Sequence, residues 1–165
     1  MKEEHLENNH KLITHLKDTP SLKFFQRKDL GRMLHFSKIR HYEPEEKIID
    51  QGSYDNWIFF LVSGSVRVVK DEETVDEISR TGDIFGEMCI IDGQARSAFV
   101  YAIGHVVCLA TDVSFIDNLM PEDKISFSAL FYQLLAEILA NRLRETTMEL
   151  VKAREEIMAL KCKCS

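Results

Sequence analysis

The chain carries the segment TGDIFGEMCIIDGQARSA at residues 81–98. This pattern predicts a strand that ends at Phe85-Gly86, followed by about one helical turn over residues 87–91. A turn at Gly93 then leads into a second strand, which begins at Arg96. Three features of this segment favour the binding of an anion. They are the free N–H groups at the start of a short helix, a glycine that allows a ligand to approach the backbone, and a nearby arginine. The segment therefore predicts a local anion pocket.

Glu87 lies inside this predicted pocket, where a carboxylate would repel a phosphate group. It fits only if it accepts hydrogen bonds from a neutral group, such as a sugar hydroxyl. The predicted ligand is therefore a sugar phosphate with a free hydroxyl. The alternative is an ordinary surface ion pair between Arg96 and Glu87, which contributes about 0–1 kcal/mol to stability.

Short runs of β-branched and aromatic residues surround this segment. They cover residues 47–49, 57–62, 65–69, 74–78, 98–101 and 105–110. Ser63-Gly64 predicts a tight hairpin between two of these runs, and the polar residues 70–73 predict a second turn. Many short strands at this spacing predict a mainly β fold, as a sandwich, a jelly roll or a small barrel.

Helices are predicted on both sides of the strands. Residues 1–17 and Gln26–His35 have helical patterns, and Thr19-Pro20-Ser21 separates them. After Asp112, a short helix precedes a long one over about residues 121–160, in which no glycine or proline follows Pro121. The predicted organisation is N-terminal helices over residues 1–35, a β domain over residues 36–111 and C-terminal helices over residues 112–165.

The long helix has an apolar seam with residues spaced alternately four and three apart. The seam positions are Tyr132, Ala136, Leu139, Leu143, Thr146, Leu150, Ala153, Ile157 and Leu160. Such a helix would be about 60 Å long, whereas a compact chain of this size has a radius of gyration of about 15 Å. The seam therefore predicts a homodimer through the C-terminal helix. The alternative is that only its first half packs on the β domain and the rest is a solvated helix.

Composition narrows the function classes. The chain has 165 residues, of which 45% are hydrophobic, and 27 acidic against 21 basic side chains give a net charge of −6. One domain is expected, and this charge has the wrong sign for direct binding of nucleic acid. The sequence contains no apolar run of about 18 residues, which is the length that would predict a membrane span. Its four cysteines are too few for a disulfide framework. A cytoplasmic protein is the expectation.

Metal chemistry lacks candidate ligands in this sequence. The six histidines include no His-x-His pair and no strand-borne histidine beside an acid, so no metal site is predicted. Cys162 and Cys164 are interpreted as part of a frayed tail, with a disulfide between subunits or a metal clip as the alternative. The sequence thus gives no reason to expect an enzyme.

The residues of the central segment resemble the phosphate-binding cassette of cyclic-nucleotide-binding domains. The matching order is Phe85-Gly86-Glu87, two residues, two aliphatics, a glycine turn and Arg96-Ser97-Ala98. Upstream, residues 46–52 and the hairpin at residues 58–66 are similar to the strand, glycine turn and hairpin that precede the cassette in this family. The resemblance runs from about Phe36 to Leu160. It implies a β-roll (a jelly roll, or double-stranded β-helix) over residues 36–111, with a cassette at residues 82–98, N-terminal helices and a long C-terminal dimerisation helix.

The resemblance also implies how the ligand is held. Arg96, the Ser97 hydroxyl and backbone N–H groups would hold the cyclic phosphate, and Glu87 with the Gly86 backbone would meet the ribose 2′-hydroxyl. The fork-shaped, permanently charged guanidinium suits phosphate oxygens. The ligand-binding residues implied in the cassette are Phe85, Gly86, Glu87, Met88, Cys89, Arg96, Ser97 and Ala98.

Residues 141–149 are similar to the central helix of the catabolite activator protein group. In that group a Thr-Thr or Thr-Ser pair meets the adenine, one residue from each subunit. The resemblance therefore implies that Thr146 and Thr147 contact the base and that cyclic AMP is preferred, with cyclic GMP also possible. Thr146 lies on the apolar seam, where a hydroxyl needs a partner, although it could instead set the register of the helices. The chain ends at Ser165, so the DNA-binding domain of that group is not implied.

The sequence thus predicts a cyclic-nucleotide sensor or regulatory module. Ligand binding would change the arrangement of its C-terminal helices and act on a downstream protein that the sequence does not identify. A ligand-free dimeric β-roll that serves as an interaction scaffold is the first alternative. A jelly-roll metalloenzyme is the second, and it lacks the metal ligands that it would need.

Overall fold

The structure is a computed structural model that describes residues 2–5, 22, 25 and 27–163. Strands predominate before residue 113, and helices predominate after it. In chain order the elements are β1 Lys2–His5, α1 Arg27–His35, β2 Ser37–Tyr42, β3 Lys47–Ile49, β4 Trp57–Lys70, β5 Glu73–Ile78, β6 Ile84–Phe85, α2 Met88–Asp92, β7 Phe99–Asp112, a 3₁₀ helix Val113–Asn118 and α3 Pro121–Lys163.

The N-terminus differs from the sequence-based prediction. Residues Lys2–His5 form β1, not the start of a helix over residues 1–17, so this prediction is wrong for those four residues. They pair antiparallel with β2 from Lys2↔His41 to His5↔Lys38. Pairing with an existing strand satisfies their backbone groups without the cost of starting a new helix. The rest of that predicted helix lies outside the described residues.

The sheet is antiparallel, and its centre is the pairing of β4 with β7. The strand order is β1-β2-β7-β4-β5, while β3 also pairs with β7 and β6 with β4. β4 and β7 each have 14 residues, and their register shifts near Ser63 and Ser65. Such irregularities bend strands and curl a sheet, which closes this one into a roll. The mainly β fold with flanking helices is confirmed.

The tight hairpin predicted at Ser63-Gly64 is wrong, because both residues lie within the single strand β4. Gly64 has φ +89°, and a Cβ on it would lie 2.4 Å from the carbonyl oxygen of His105 on β7. The glycine therefore allows a close approach of two bent strands. The chain reverses later, between β4 and β5, where the sequence predicted the second turn.

Within the described part of the chain, two hydrophobic clusters stabilise the fold, and the alternation of side chains along β4 separates them. Ile58 and Phe60 face the helices, whereas Phe59 and Leu61 face the interior of the roll. Successive side chains of a strand point to opposite faces, so one strand supplies both clusters. The helix-side cluster includes Phe127 of α3. The first half of α3 is thereby fixed against the roll, and it forms one side of the site described below.

The second half of α3 leaves its apolar residues exposed. Leu143, Leu150, Ile157 and Leu160 of the predicted seam are all exposed in the single chain. The helix has 43 residues, which corresponds to about 65 Å. No helix among the described residues has the length and the apolar character that crossing a membrane would require.

Candidate functional site

A cavity of about 530 Å³ lies between the cassette, strands β4 and β5, and helix α3. This volume is within the range of about 300–1,000 Å³ that is typical of small-molecule sites. Nine of the ten residues that the sequence pointed to contribute to its wall: Phe85, Gly86, Glu87, Met88, Cys89, Arg96, Ser97, Ala98 and Thr146. The cavity therefore brings together the cassette and one turn of α3.

Arg96 lies at the base of this cavity and is only 4% exposed. Its Nη1 donates to the carbonyl oxygen of Gly86 at 2.5 Å, and its Nη2 donates to that of Trp57 at 2.5 Å. Nε and Nη2 also donate to the two carboxylate oxygens of Asp55. A guanidinium has five N–H groups, so these four bonds hold Arg96 in place and leave one N–H on Nη1 without an acceptor among the described residues.

Asp55 is the main partner of Arg96. Burial raises the pKa of this carboxyl group, but hydrogen bonds from Arg96 and from the Trp57 N–H outweigh burial and lower it overall. Asp55 therefore stays charged and paired. The sequence analysis missed this residue because 41 positions separate it from Arg96. In the sequence, the only feature that points to Asp55 is its position as an acidic residue just before the strand that starts at Trp57.

Glu87 is also buried in the cavity wall, with 2% of its surface exposed. Its Oε1 accepts a hydrogen bond of 2.5 Å from Nη1 of Arg142, and Arg142 also donates to the carbonyl oxygen of Ile84. A carboxylate that is buried without a cation is costly, so Arg142 explains how Glu87 remains in this place. Among the described contacts, Oε2 of Glu87 is left as an acceptor.

Arg142 was not singled out from the sequence, although it lies in the stretch that resembles the central helix. It is one turn before Thr146 on α3, and residues four apart share a helix face. Both residues line the cavity. The rule that a buried carboxylate needs a cation could have directed attention to this arginine.

Gly86 is required between these two charged residues. Its φ is +79°, and a Cβ on it would lie 2.7 Å from Nη1 of Arg96 and 3.2 Å from Cδ1 of Ile49. Only glycine combines this left-handed backbone with so close an approach of a guanidinium. Gly93, with φ +67°, ends the short helix α2 in the same conformation but has open space around it.

The remaining cassette residues form the rim and the inner wall. The exposed Ser97 hydroxyl lies 3.8 Å from Sδ of Met88. The Cys89 thiol lies 3.6 Å from the carbonyl oxygens of Asp55 and Gly86. Burial raises the pKa of Cys89, which favours the neutral thiol over the thiolate.

Much of the cavity wall is apolar. Its apolar side chains include Ile49, Val68, Val75, Ile78, Val100, Leu139 and Leu143. Apolar surface together with the buried charges of Arg96 and Glu87 suits a ligand that has both a charged group and an apolar part. The described part of the chain has no group of three or more acidic, histidine or cysteine side chains that could hold a metal.

Thr147 lies outside the cavity. It is exposed, and its hydroxyl donates to the carbonyl oxygen of Leu143 at 2.6 Å. Thr147 therefore does not line the cavity of its own chain. The contact from the other subunit, which the resemblance implies, stays a prediction.

Comparison with known proteins gives the family. The model of the cyclic nucleotide-binding domain matches residues 39–123. The cAMP-dependent protein kinase type II regulatory subunit of Drosophila melanogaster is 33% identical over 109 residues, which cover 64% of this chain and 29% of that protein. The cAMP-activated global transcriptional regulator Vfr of Pseudomonas aeruginosa is 31% identical over 145 residues, which cover 82% of this chain and 61% of that protein. The chain thus spans less than two thirds of either relative.

Solved structures share the fold. The catabolite activator protein of Thermus thermophilus matches with a TM-score of 0.58 and 28% identity, over 80% of this chain and 62% of that one. A cyclic nucleotide-binding domain from Methylobacillus flagellatus matches with a TM-score of 0.71 and 19% identity, over 87% of this chain and 84% of that one. These matches confirm the β-roll and the resemblance to the sensor domain of catabolite activator proteins. Because the family model covers more than half of its residues, the chain belongs to the cyclic nucleotide-binding domain family.

Proposed function

We propose that this domain is a cyclic AMP sensor that binds the nucleotide in the 530 Å³ cavity and transmits its presence through α3. The observation that carries the proposal is the pair Arg96 and Glu87. These two oppositely charged residues are 4% and 2% exposed and line the same cavity. Buried charges of both signs in one cavity suit a ligand that has an anionic group and a hydroxyl group on one rigid ring system.

The phosphate would lie at the Arg96 end. The free N–H of Nη1 and the Ser97 hydroxyl are the donors at this end, and the bonds to Asp55 hold the guanidinium in place before the ligand arrives. Preorganised donors lose little entropy on binding. The Drosophila and Pseudomonas relatives support a cyclic nucleotide as the ligand, because their names refer to cAMP.

The ribose would lie at Glu87, with its 2′-hydroxyl donating to Oε2. A hydrogen bond to a charged group contributes about 1.5–3 kcal/mol, so we expect 2′-deoxy cyclic AMP to bind about 10- to 100-fold more weakly than cyclic AMP. In Glu87→Met, that ratio should fall to about one, whatever the absolute affinities, whereas Glu45→Gln should keep it. Competition titrations give the ratio for each variant. Equal binding of both nucleotides to the wild type would contradict the role of Glu87.

The base would lie against the apolar wall and α3. Thr146 is an uncharged polar residue of α3 in the cavity wall, and its hydroxyl would bond to the edge of the base. Thr147 would reach the base in the other subunit of a dimer. A preference for cyclic AMP over cyclic GMP is part of the proposal and rests on this pair of threonines. Calorimetric titration with both nucleotides measures it directly.

The link from ligand to helix would be Arg142. It donates hydrogen bonds to Glu87 and to the Ile84 carbonyl oxygen. The ion pair between Arg142 and Glu87 therefore connects the cassette with α3. A ligand that shares Glu87 favours the helix position in which both bonds are kept. The shift in helix arrangement is then limited by the difference in ligand affinity between the two arrangements.

We further propose a homodimer through α3. Ile157 is 51% exposed on the seam, and Met158, 68% exposed, lies just off it. Sedimentation of the wild type should give a dimer, and Ile157→Glu should shift the equilibrium towards monomer because a seam position would then bury a charge. Met158→Glu should remain a dimer. A wild type that sediments as a monomer at all concentrations would refute this part of the proposal.

The remaining parts of the proposal concern context. The sensor comprises the β-roll of residues 36–111 together with the C-terminal helices, has no catalytic activity of its own and acts on an effector protein. The cytoplasm is the proposed compartment, and the free thiols of Cys89 and Cys108 are compatible with it.

A ligand-free scaffold is a second candidate, and one observation favours it. Four N–H groups of Arg96 are already satisfied by protein oxygens, so the cassette is stable without a phosphate. This candidate predicts no thermal shift with cyclic AMP or cyclic GMP. A stabilisation that increases with nucleotide concentration excludes it.

A further inference from the structure

The N-terminal strand β1 is tied to the roll by a charged residue. Glu3 lies opposite Arg40 in the pairing of β1 with β2. Its carboxylate accepts a hydrogen bond of 3.0 Å from Nε of Arg40 and another of 3.0 Å from Nζ of Lys38. Glu3 therefore pairs with two cations of β2.

Arg40 is itself packed against an aromatic ring. Its guanidinium carbon lies 4.2 Å from the centre of the Trp57 ring, and its side chain is 13% exposed. A cation at this distance from an indole is attracted by the ring, more strongly when it is partly desolvated. Glu3 fixes Arg40, and Arg40 in turn fixes Trp57.

Trp57 is the residue that joins this cluster to the cassette. Its backbone N–H donates to Oδ1 of Asp55 at 2.9 Å, and its backbone carbonyl oxygen accepts from Nη2 of Arg96 at 2.5 Å. The same tryptophan thus contacts Arg40 through its ring and Arg96 through its backbone. A continuous set of contacts runs from Glu3 to the guanidinium at the base of the cavity.

We infer that Glu3 and Arg40 are positioning residues for Arg96, so that the N-terminal strand forms part of the nucleotide-binding apparatus. The inference rests on the proposed function, since it concerns the affinity of the same site. When residue 3 is neutral, Arg40 loses the carboxylate that it pairs with on β1 and holds the Trp57 ring less firmly. The Trp57 carbonyl then fixes Nη2 of Arg96 less well, and the free N–H of Nη1 is less well aimed into the cavity.

The chain contains a matched control for this cluster. Glu45 pairs with Arg67, and the guanidinium carbon of Arg67 lies 5.5 Å from the centre of the Tyr101 ring. The arrangement of acid, arginine and aromatic ring is the same, but the hydrogen bonds of Arg96 go to Asp55, Gly86 and Trp57 and to none of these three residues. Glu45→Gln therefore removes the same charge from the same kind of cluster at another place.

The experiment compares Glu3→Gln with Glu45→Gln by calorimetric titration of cyclic AMP. Couplings of this kind change affinity by about three- to tenfold, and we expect a weakening of that size in Glu3→Gln only. Arg40→Lys, which keeps the charge, should lie between the wild type and Arg40→Met. Trp57 is the single tryptophan, so its fluorescence should change on nucleotide binding in the wild type and change less in Glu3→Gln.

Each result has a defined meaning. Unchanged affinity in Glu3→Gln, or an equal loss in both glutamine variants, overturns the inference and leaves the proposed function intact. A wild type that binds no cyclic nucleotide overturns the proposed function, and this inference with it. Melting temperatures of the two variants, measured without ligand, test whether both are folded, and we expect them to be similar.

Discussion

Replacing Arg96 with methionine is expected to weaken the binding of cyclic AMP by about 100-fold or more. The variant removes the cation that would face the cyclic phosphate and leaves Asp55 without its main partner. Removing one partner of a buried, hydrogen-bonded charge pair between a protein and its ligand costs about 2–5 kcal/mol of binding free energy, and the middle of this range is more than two powers of ten in affinity. Calorimetric titration of wild type and variant measures it.

Two further variants separate binding from folding in this test. Arg67→Met removes an arginine from an exposed ion pair with Glu45 and should bind cyclic AMP like the wild type. Combining Asp55→Asn with Arg96→Met removes the unpaired charge and should recover stability, but not binding. If Arg96→Met kept the affinity of the wild type, the assignment of the phosphate end would be wrong.

The second large effect is expected for Gly86→Ala. The new Cβ would lie 2.7 Å from Nη1 of Arg96, and the residue would have to keep φ +79°. Strain of this kind costs about 1–3 kcal/mol, and the clash displaces the guanidinium from the position in which it can meet a phosphate. We therefore expect lower stability in urea unfolding together with a large loss of affinity for cyclic AMP.

Gly93→Ala is the matched control, since it also requires a left-handed backbone, with φ +67°, but its Cβ would meet nothing within 4 Å. Its stability should fall by about 1–2 kcal/mol through backbone strain alone, and its affinity should stay near that of the wild type. If both alanine variants lost affinity equally, the contact between Gly86 and Arg96 would not be the cause.

Local sequence patterns were sufficient for most of the β segments and for the short helix after Gly86, but not for the points at which strands continue or end. The alternation around Phe59 and the glycines at positions 86 and 93 act over a few residues, so they can be interpreted without knowledge of the partner strands. Arg96 and Glu87 line the same cavity, as the pocket predicted from this segment requires. Their roles toward a ligand stay predictions.

Non-local contacts account for what the sequence analysis missed or had wrong. Ser63-Gly64 has the composition of a turn, but its pairing with β7 makes it a bulge inside a strand. Asp55 and Arg142 reach their partners only after the sheet has closed and α3 has packed on it. The strand at Lys2–His5 likewise depends on the edge of β2, which lies more than 30 residues away.

A crystal structure of the domain with cyclic AMP tests the central claim most directly. The account predicts phosphate oxygens within about 3 Å of Nη1 of Arg96 and the Ser97 hydroxyl, with the ribose 2′-hydroxyl at a similar distance from Glu87. A nucleotide bound elsewhere, or bound with its phosphate directed away from Arg96, would contradict it.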